Sequence, residues 1–487
     1  MTLAKRDPIQ ELLTAAQGSC HLWMSTEDVA YATFIEDQIK QSWPIDSIEF
    51  KSWLTMLSFN NGLGLASTET LSRLLNYLNA AARKGRRMRT ASRVHQENDT
   101  LFLASGDRNW SVIEVNKTGY LTHPIMPTGM PFTRSSVLAP YTHPAVGGTI
   151  NLLRSYINVR SDDDFMLIVG FILASLRDSR EYPVLVINGA QGSAKTTTTN
   201  FISSLVDPSF DSASKLPDSV RDLGVMARNR HLLSFDNLSF LHPKMSDAIC
   251  QIATGLTINE RRYYTNADTF SYQVFRPIIL NGIPQMVDRD DLGRRMFNIS
   301  LDAVPPGRKI PIDILQQQFD LDKPLIWGAI LNALSCALAN YATTPRPAVD
   351  GLVSVAQWVE AAAPALGWAP GAFTSIYNAN RRTAIDSILD GDEFARLITD
   401  MLLTEGGRFE GDFEGFIAKS AMHRRGDKKN EYFPQDAKRW IEKLKRIAPA
   451  LETQGIHMKG LEPIKGKEWR DPKTRRRLVE ITQRKQP

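Results

Sequence analysis

One strand-to-helix junction constrains this chain more than any other feature. The apolar run from Val184 to Ile187 leads into a loop with two glycines, and Lys195 and Thr196 follow where a helix is expected to begin. A strand that enters a helix through such a loop presents backbone N–H groups and the positive end of the helix dipole to an anion. The junction therefore predicts a phosphate-binding loop made of Gly189, Ala190, Gln191, Gly192, Ser193, Ala194, Lys195, Thr196 and Thr197.

The residue types in this loop predict ATP and Mg²⁺ as cofactors. Lys195 is expected to reach the β- and γ-phosphates, and the Thr196 hydroxyl to bind Mg²⁺. Gly189 and Gly192 let the backbone wrap the phosphate chain. Ala194 stands where the usual pattern has glycine, which predicts a slightly altered loop because alanine prefers negative φ. The alternative is an ordinary turn between a strand and a helix.

A second strand supplies the predicted metal carboxylate. The apolar stretch after His231 ends in Asp236, 41 positions beyond Lys195. A strand neighbouring the phosphate loop would place Asp236 where it holds Mg²⁺ together with Thr196. The next residue is Asn237, whose amide can orient water but cannot accept a proton at neutral pH. The identity of the catalytic base is therefore left open.

Two further polar residues complete the predicted catalytic set. Asn281 follows the buried strand that begins after Pro277, and it is expected to position the attacking water. Arg295, 14 positions after Asn281, is expected to project into the site of a neighbouring subunit as an arginine finger. Taken singly, such residues are structural more often than catalytic, but their order and spacing after the phosphate loop favour catalysis.

Hydrophobic periodicity predicts a multidomain α/β protein. Residues 1–94 are predicted to be helical, with helical spacing in Val29–Ile39 and in Leu71–Ala82, which Thr70 would cap. Residues 95–148 are predicted to form a small β-meander and a proline-rich connector. Residues 149–345 alternate strand and helix, as in a parallel sheet covered by helices. Residues 346–487 form the remaining, C-terminal region.

Charge is distributed unevenly along the chain. The net charge is +5, but residues 419–487 carry 20 basic and nine acidic side chains, so the rest of the chain is acidic. This asymmetry favours a polyanionic partner for the C-terminal region, a basic tail kept for solubility being the alternative. The cluster from Arg83 to Arg93 is interpreted as a solvated helix end.

The basic C-terminal region has the outline of a winged helix. An amphipathic helix is predicted over Pro434–Ala448, and strands over Gly455–Met458 and Leu478–Ile481, with a basic loop between the strands. Such a helix and wing contact duplex DNA, and protein contacts are the alternative. The predicted DNA contacts here are Lys438, Arg439, Lys443, Arg475 and Arg476.

Cysteine content and hydropathy exclude several classes of protein. Three cysteines in 487 residues cannot form a disulfide framework, which favours a reducing cytoplasm. The first residues lack the apolar run of a signal peptide. The longest apolar stretch, Phe165–Leu176, is too short to span a bilayer. A cytoplasmic protein without a membrane partner is expected.

These motifs together resemble a known group. The loop at 189–197, then Phe235-Asp236-Asn237, Leu280-Asn281-Gly282 and the stretch Asp291–Arg295 are similar to the AAA+ ATPases of phages and integrative elements. These ATPases resemble superfamily 3 helicases and the helicase part of poxvirus-type primase-helicases. The resemblance implies an AAA+ P-loop core, a hexameric ring and ATP hydrolysis between subunits. It also implies movement along single-stranded DNA.

The resemblance gives a role to one more segment. Residues 259–272 have two polar and aromatic arms around Asn266-Ala267-Asp268, which predicts a β-hairpin. Superfamily 3 enzymes place a DNA-gripping hairpin at this point. Arg261 and Arg262 would then contact phosphates while Tyr263 and Tyr264 stack on bases. Tyrosines packed on the sheet are the alternative.

The function expected from sequence is a ring-forming DNA helicase that replicates a phage or mobile element. Its expected partners are single-stranded and forked DNA, other copies of the chain, and a replication initiator or primase. One alternative is a DNA-binding ATPase that does not unwind, such as a helicase loader or a regulator of replication or transposition. The other is a nucleotide-gated switch in a defence system.

Overall fold

Five β-sheets organise the part of the chain that the computed structural model describes. The described residues are 8–135, 137–211, 213–261, 269–282, 290–293, 295–391, 393–423, 436–461 and 469–483. None of the helices in these ranges has the length and apolar character needed to cross a membrane.

The N-terminal region is a four-stranded sheet with helices packed on one face. Its elements are α1 (Pro8–Ser19), β1 (Cys20–Ser25), β2 (Ala30–Glu36), β3 (Ile39–Pro44), α2 (Ile48–Asn60), α3 (Thr68–Ala82) and β4 (Arg87–Met88). The strand order is β3-β2-β1-β4. Phe34 of β2 and Phe50 and Leu54 of α2 are buried together in the core between the sheet and the helices.

The prediction of a helix over Val29–Ile39 is wrong, because these residues form β2 and its turn. Ala30, Ala32 and Phe34 alternate along the strand and are all buried against the helices. Asp37 and Gln38 have φ of 49° and 68°, the positive values of a two-residue hairpin turn, and Glu36 pairs with Ile39. The helix predicted over Leu71–Ala82 is confirmed, but its cap is Ser67 rather than Thr70.

The predicted β-meander is confirmed and has one additional strand. Antiparallel β5 (Val94–Glu97), β6 (Thr100–Ala104), β7 (Val112–Asn116) and β8 (Gly119–His123) lie side by side in that order. Leu101, Leu103, Ile113 and Val115 alternate into the core shared with the next region.

A parallel sheet with helices around it forms the middle of the chain, as predicted. A 3₁₀ helix (Ile150–Ser155) precedes it. The elements are α4 (Asp162–Ser175), β9 (Val184–Gly189), α5 (Lys195–Val206), α6 (Val220–Asn229), β10 (Leu233–Leu238), α7 (Pro243–Thr254), β11 (Leu256–Arg261), β12 (Thr269–Val274), β13 (Ile278–Gly282), α8 (Asp290–Gly293), β14 (Met296–Leu301), α9 (Ile312–Asn340) and α10 (Val353–Leu366).

The strand order of this sheet, β10-β13-β9-β14, corrects one expectation. The Asp236 strand, β10, is not the neighbour of β9, because β13 with Asn281 lies between them. All of the pairings are parallel, so the ends of β9, β10 and β13 lie at one edge of the sheet. β14 is an edge strand of the sheet.

The C-terminal region is a winged helix joined to the sheet by a long helix. Its elements are α11 (Ala372–Gly391), α12 (Glu393–Thr404), β15 (Arg408–Asp412), α13 (Phe413–Met422), α14 (Ala437–Thr453), β16 (Ile456–Lys459) and β17 (Leu478–Gln483). The antiparallel strand order is β15-β17-β16. Trp440, Leu444 and Ile447 of α14 are buried, which confirms its predicted apolar stripe.

Two details of this region differ from the sequence pattern. The helix α14 begins at Ala437 with Asp436 as its cap, so it starts later than the predicted Pro434. The Asp436 carboxylate accepts a hydrogen bond from the Arg439 N–H, which fixes that first turn. Strand β15 and helix α13 lie before α14 and complete the winged-helix order of elements.

Candidate functional site

The predicted phosphate-binding loop lies between a fully buried strand and an exposed helix start. β9 is buried from Val184 to Ile187, and α5 begins at Lys195. Gly192 and Ala194 have φ of +81° and +63°. Ala194 thus adopts the left-handed conformation that its usual glycine favours, at a cost of about 1–2 kcal/mol. The residue before Lys195 is therefore a strained, left-handed alanine.

The start of α5 is left open to an anion. Serine side chains cap the first turns of α2, α3, α4 and α6, each accepting a backbone N–H. The cap residue of α5 is Ala194, which offers no side-chain acceptor. The first N–H groups of a helix have no partner within the helix and carry its positive partial charge. A phosphate therefore fits this end of α5.

Lys195 lies over the loop that it would serve. Its Nζ atom donates to the carbonyl oxygens of Gly189 at 2.7 Å and Ala190 at 3.0 Å. The side chain is thus held above the loop, at the point where the phosphates of a bound nucleotide would meet it.

Thr196 and Asp236 meet across the sheet, as predicted for a metal pair. The Thr196 hydroxyl donates to Asp236 Oδ2 at 2.9 Å. Two oxygen ligands at this spacing fit Mg²⁺, which keeps several waters and takes its other ligands from nucleotide phosphates. Among the described residues, no group of three or more His, Cys, Asp or Glu side chains could hold a metal ion.

Asn281, predicted to position the attacking water, lies between β10 and α5, and both polar groups of its amide are bonded to protein groups. It is fully buried; its Oδ1 accepts from the Asn237 N–H at 3.0 Å, and its Nδ2 donates to Thr199 Oγ1 of α5 at 2.9 Å. Asn237 is exposed and has a φ of +59°, so the Asn281 amide supports a left-handed backbone at the end of the strand. Thr199 belongs to the site, and the loop motif gave no signal for it.

Arg295 lies at the opposite end of the sheet from the phosphate loop of its own chain. Its carbonyl accepts from the Val184 N–H, at the beginning of β9, while the loop follows the end of β9 at Gly189. Five residue steps along a strand separate these points by roughly 17 Å. The structure therefore does not bring Arg295 together with Lys195, Thr196 and Asp236.

The predicted hairpin is confirmed for its two strands. β11 and β12 pair antiparallel from Leu256↔Val274 to Arg261↔Thr269, the last described pair. Arg261 therefore ends the first arm. Arg262, Tyr263 and Tyr264 lie outside the described residues.

The predicted DNA contacts in the winged helix fall into two groups. Lys438 and Arg439 are exposed on the first turn of α14, and Arg475 is exposed in the wing. Lys443 lies with its Nζ 4.7 Å from the ring centre of Phe394, and Arg476 lies 3.2 Å from Asp412 and 3.4 Å from Glu414. These two cations have partners within the domain, and so does Arg439, whose Nε atom lies 3.6 Å from Asp436 Oδ2.

A buried ion pair in the meander was missed by the sequence interpretation. Arg93, assigned there to a solvated helix end, is fully buried, and its Nε donates to Asp207 at 2.7 Å. The second Asp207 oxygen accepts the N–H groups of His231 and Leu232. This network ties the β-meander to the parallel sheet, between the end of α5 and the start of β10.

Two family models match the chain. Residues 150–361 match the actinomycete integrative conjugative element replication protein, and residues 394–487 match the AICE RepA C-terminal domain. The models describe parts of one protein family, and together they take in more than half of the chain. The chain belongs to this family of AICE RepA replication proteins. The first match holds the entire phosphate site, the second holds the winged helix, and α11 lies between them.

Solved structures give more distant similarities, and no curated protein matches. The apo C-terminal region of NrS-1 is 12% identical, with coverage of 92% of this chain and 90% of that one and a TM-score of 0.42. The JCV helicase, solved with a small acetamide ligand, is 16% identical over 46% of this chain and 66% of that one, with a TM-score of 0.19. Neither similarity extends to a shared activity.

Proposed function

We propose that this replication protein is an ATP-dependent DNA helicase that works as a hexameric ring and unwinds the DNA of its conjugative element. The observation that carries the proposal is the meeting of Lys195, Thr196 and Asp236 at one edge of the sheet, with Arg295 at the other. The first three would hold ATP and Mg²⁺. Arg295, which lies away from these three residues, would serve a neighbour's site.

The site residues have separable tasks. The open start of α5 and Lys195 would bind and orient the phosphates, and Thr196 and Asp236 would hold the metal. Bound Mg²⁺ would neutralise charge that develops on the phosphates. Asn237, held by Asn281, would orient a water through its exposed amide. Since an amide accepts no proton at neutral pH, hydrolysis is expected to be slow unless a carboxylate from elsewhere serves as base.

A ring would complete the site. In a head-to-tail arrangement, the sheet edge that carries Arg295 in one subunit can face the phosphate loop of the next, and such heterologous contacts generate rings when the rotation closes. Arg295 would then stabilise the charge of the transferring phosphoryl group, as an arginine finger does. The base of the β11–β12 hairpin and the exposed cations of α14 and the wing would contact single-stranded and duplex DNA.

The biological setting follows from the family. Replication of a conjugative element requires access to cytoplasmic DNA, so we place the protein in the cytoplasm, with a replication initiator or primase as its partner. Asn237 favours one alternative, in which the ring binds DNA and hydrolyses ATP too slowly to unwind it, as a helicase loader or regulator would.

The test is strand displacement on forked DNA with ATP and Mg²⁺. We expect unwinding by the wild type and by Arg346→Ala, an exposed arginine far along the chain from the site motifs, and none by Lys195→Ala or Arg295→Ala. Because the two defects would lie in different halves of a shared site, mixing the two inactive variants should restore part of the ATPase activity.

Other results discriminate the alternatives. DNA-stimulated ATPase without unwinding would favour the loader or regulator. ATP binding without hydrolysis would favour a nucleotide-gated switch. Full activity of Arg295→Ala would contradict a shared site.

A further inference from the structure

Asn380 of α11 is hydrogen-bonded to the edge strand of the parallel sheet. Its Oδ1 accepts from the Asn298 N–H at 2.9 Å, and its Nδ2 donates to the Asn298 carbonyl at 2.7 Å. An edge strand has backbone groups on its outer side that need partners. The Asn380 amide satisfies both groups of one residue, as another strand would.

Strand β14, which Asn380 contacts, runs between Arg295 and the phosphate-binding loop. β14 begins directly after Arg295. At its other end the chain returns to the phosphate loop, where the Val304 N–H donates to the Gly192 carbonyl at 3.2 Å. Midway, the Asn298 side chain accepts from Asn188 Nδ2 at 2.5 Å, one residue before Gly189. A shift of β14 would therefore displace Arg295 and the phosphate-binding loop.

The same helix continues into the winged helix. In its first half, Phe373 and Tyr377 pack on Phe297 of β14, with ring centres 5.9 and 5.2 Å apart. In its second half, Ile385 and Leu389 belong to the winged-helix core. Asp386 accepts a hydrogen bond at 3.1 Å from Gln454, the C-cap residue that follows α14.

These contacts place one rigid element between the two regions. Asn380 and Asp386 lie six residues apart on α11, a rise of about 9 Å along a helix. A helix core-packed at both ends moves as a unit, so displacement of the winged helix would act directly on β14.

We propose that Asn380 is a positioning residue that couples duplex DNA on the winged helix to the nucleotide site through β14. This inference rests on the proposed ATPase and DNA-binding function. The hairpin has a separate route to the sheet, because β12 continues through Phe275, Arg276 and Pro277 directly into β13. Single-stranded DNA on the hairpin would not need Asn380.

The test compares Asn380→Ala with Asn378→Ala in the full chain. Asn378 is the same residue type on the same helix, but it donates to the Ala348 carbonyl in the loop between α9 and α10. In Asn380→Ala, we expect stimulation of ATPase by duplex DNA to fall by at least ~5-fold, the lower end of typical coupling between sites. Stimulation by single-stranded DNA, and activity without DNA, should match those of Asn378→Ala. Asn380→Asp sets a carboxylate oxygen against the Asn298 carbonyl, so it should lose the duplex response as Asn380→Ala does.

Three results would overturn the inference. Duplex stimulation at the wild-type level in Asn380→Ala would show that Asn380 does not couple the winged helix to the nucleotide site. Equal loss of both DNA responses in Asn380→Ala would indicate general destabilisation. A duplex response that is lost in Asn380→Ala and Asn378→Ala alike would assign the effect to α11 as a whole.

Failure of the proposed function gives a different pattern. If the wild type hydrolyses no ATP, the coupling is read from binding, because a nucleotide that changes DNA affinity must do so reciprocally. A non-hydrolysable ATP analogue should then alter the duplex affinity of the wild type and of Asn378→Ala, but not that of Asn380→Ala. An unchanged analogue effect in Asn380→Ala would contradict the coupling, whatever the hydrolysis result.

Discussion

The chain has two clusters of basic side chains, and the structure uses them in opposite ways. In the N-terminal cluster, Arg93 is buried on Asp207, while Arg87 pairs with Asp28 and Arg86 lies 3.6 Å from Glu97. In the C-terminal cluster, Lys438 and Arg475 are exposed. A run of basic residues in a sequence therefore does not distinguish internal ion pairs from a surface for a polyanion.

The difference between the clusters lies in the acidic partners. Asp28 and Asp207 lie 59 and 114 positions from the arginines that they meet, and only the fold brings them close. In the C-terminal region, acidic residues are too few to neutralise the basic ones. Excess charge that folding does not neutralise remains available for DNA. This contrast is testable, because changes in the first cluster should affect stability and changes in the second should affect binding.

The largest effect is expected for Arg93→Ala. The substitution leaves the Asp207 carboxylate buried without its cation and removes donors from the Ala104 and Ser105 carbonyls. Breaking a buried ion pair from one side typically lowers the free energy of unfolding by about 3–5 kcal/mol. Urea denaturation measures this loss of unfolding free energy. Arg86→Ala, which removes an exposed pair, is the control, with about 0–1 kcal/mol expected. Equal losses in the two variants would contradict the contrast.

The pH dependence of stability should report on the same buried network. Burial lowers the pKa of His231 to about 4, and the folded chain keeps this imidazole neutral. Between that value and the ordinary pKa near 6.5, the unfolded chain binds a proton that the folded chain does not, so stability falls as pH is lowered through this window. The loss should reach about 3 kcal/mol.

Urea titrations from pH 7 to pH 4 check this prediction. The variant His231→Gln keeps a donor for the Ser175 carbonyl, which the His231 ring contacts at 2.6 Å, and it has no proton to gain in this range. Its unfolding free energy should therefore depend less on pH than that of the wild type. An identical slope in both proteins would show that His231 does not cause the acid loss.

The sequence predicted the positions of the candidate site residues more completely than the rest of the fold, for a physical reason. Residues at the ends of buried parallel strands meet at one edge of the sheet, so Lys195, Thr196 and Asp236 could be placed from strand patterns alone. The order of the strands could not be predicted from sequence, because only tertiary pairing places β13 between β9 and β10. β2 was misassigned because Ala30 and Phe34, four residues apart, also fit the spacing of one helix face.

The contacts that the sequence could not show involve partners far apart along the chain. Arg93 and Asp207 are 114 positions apart, and Asn298 and Asn380 are 82 apart. No local pattern marks either pair. Asn281 was found by its position at a strand end, but its bonds to Thr199 and the Asn237 backbone required the structure.

In the C-terminal cluster, the double variant Lys438→Ala, Arg439→Ala should weaken DNA binding without loss of stability. Both side chains are exposed on the first turn of α14, where phosphate contact releases counterions. Each lost contact should lower the slope of log affinity against log salt by about 0.9. Because the Arg439 Nε atom also lies 3.6 Å from Asp436, we expect a reduction between about 0.9 and about 2. Fluorescence anisotropy with duplex DNA over a range of salt concentrations measures the slope. An unchanged slope would exclude this turn from the DNA surface.

The smallest effect is expected for Arg476, which belongs to the C-terminal basic cluster but has acidic partners, as the N-terminal arginines do. Its guanidinium lies between Asp412 and Glu414, and these carboxylates raise the pKa of Arg476 above its ordinary value. Its charge is already compensated inside the domain, whereas Arg475 beside it projects from the wing with no acidic partner among the described residues. We therefore expect Arg475→Ala to lower the salt slope by about 0.9 and Arg476→Ala to leave it nearly unchanged. Arg476→Ala should instead lower the free energy of unfolding only slightly, because exposed ion pairs contribute little. If Arg476→Ala lowers the slope as much as Arg475→Ala, an acidic partner does not remove an arginine from the DNA surface, and the distinction drawn between the two clusters would hold only for buried pairs such as Arg93 and Asp207.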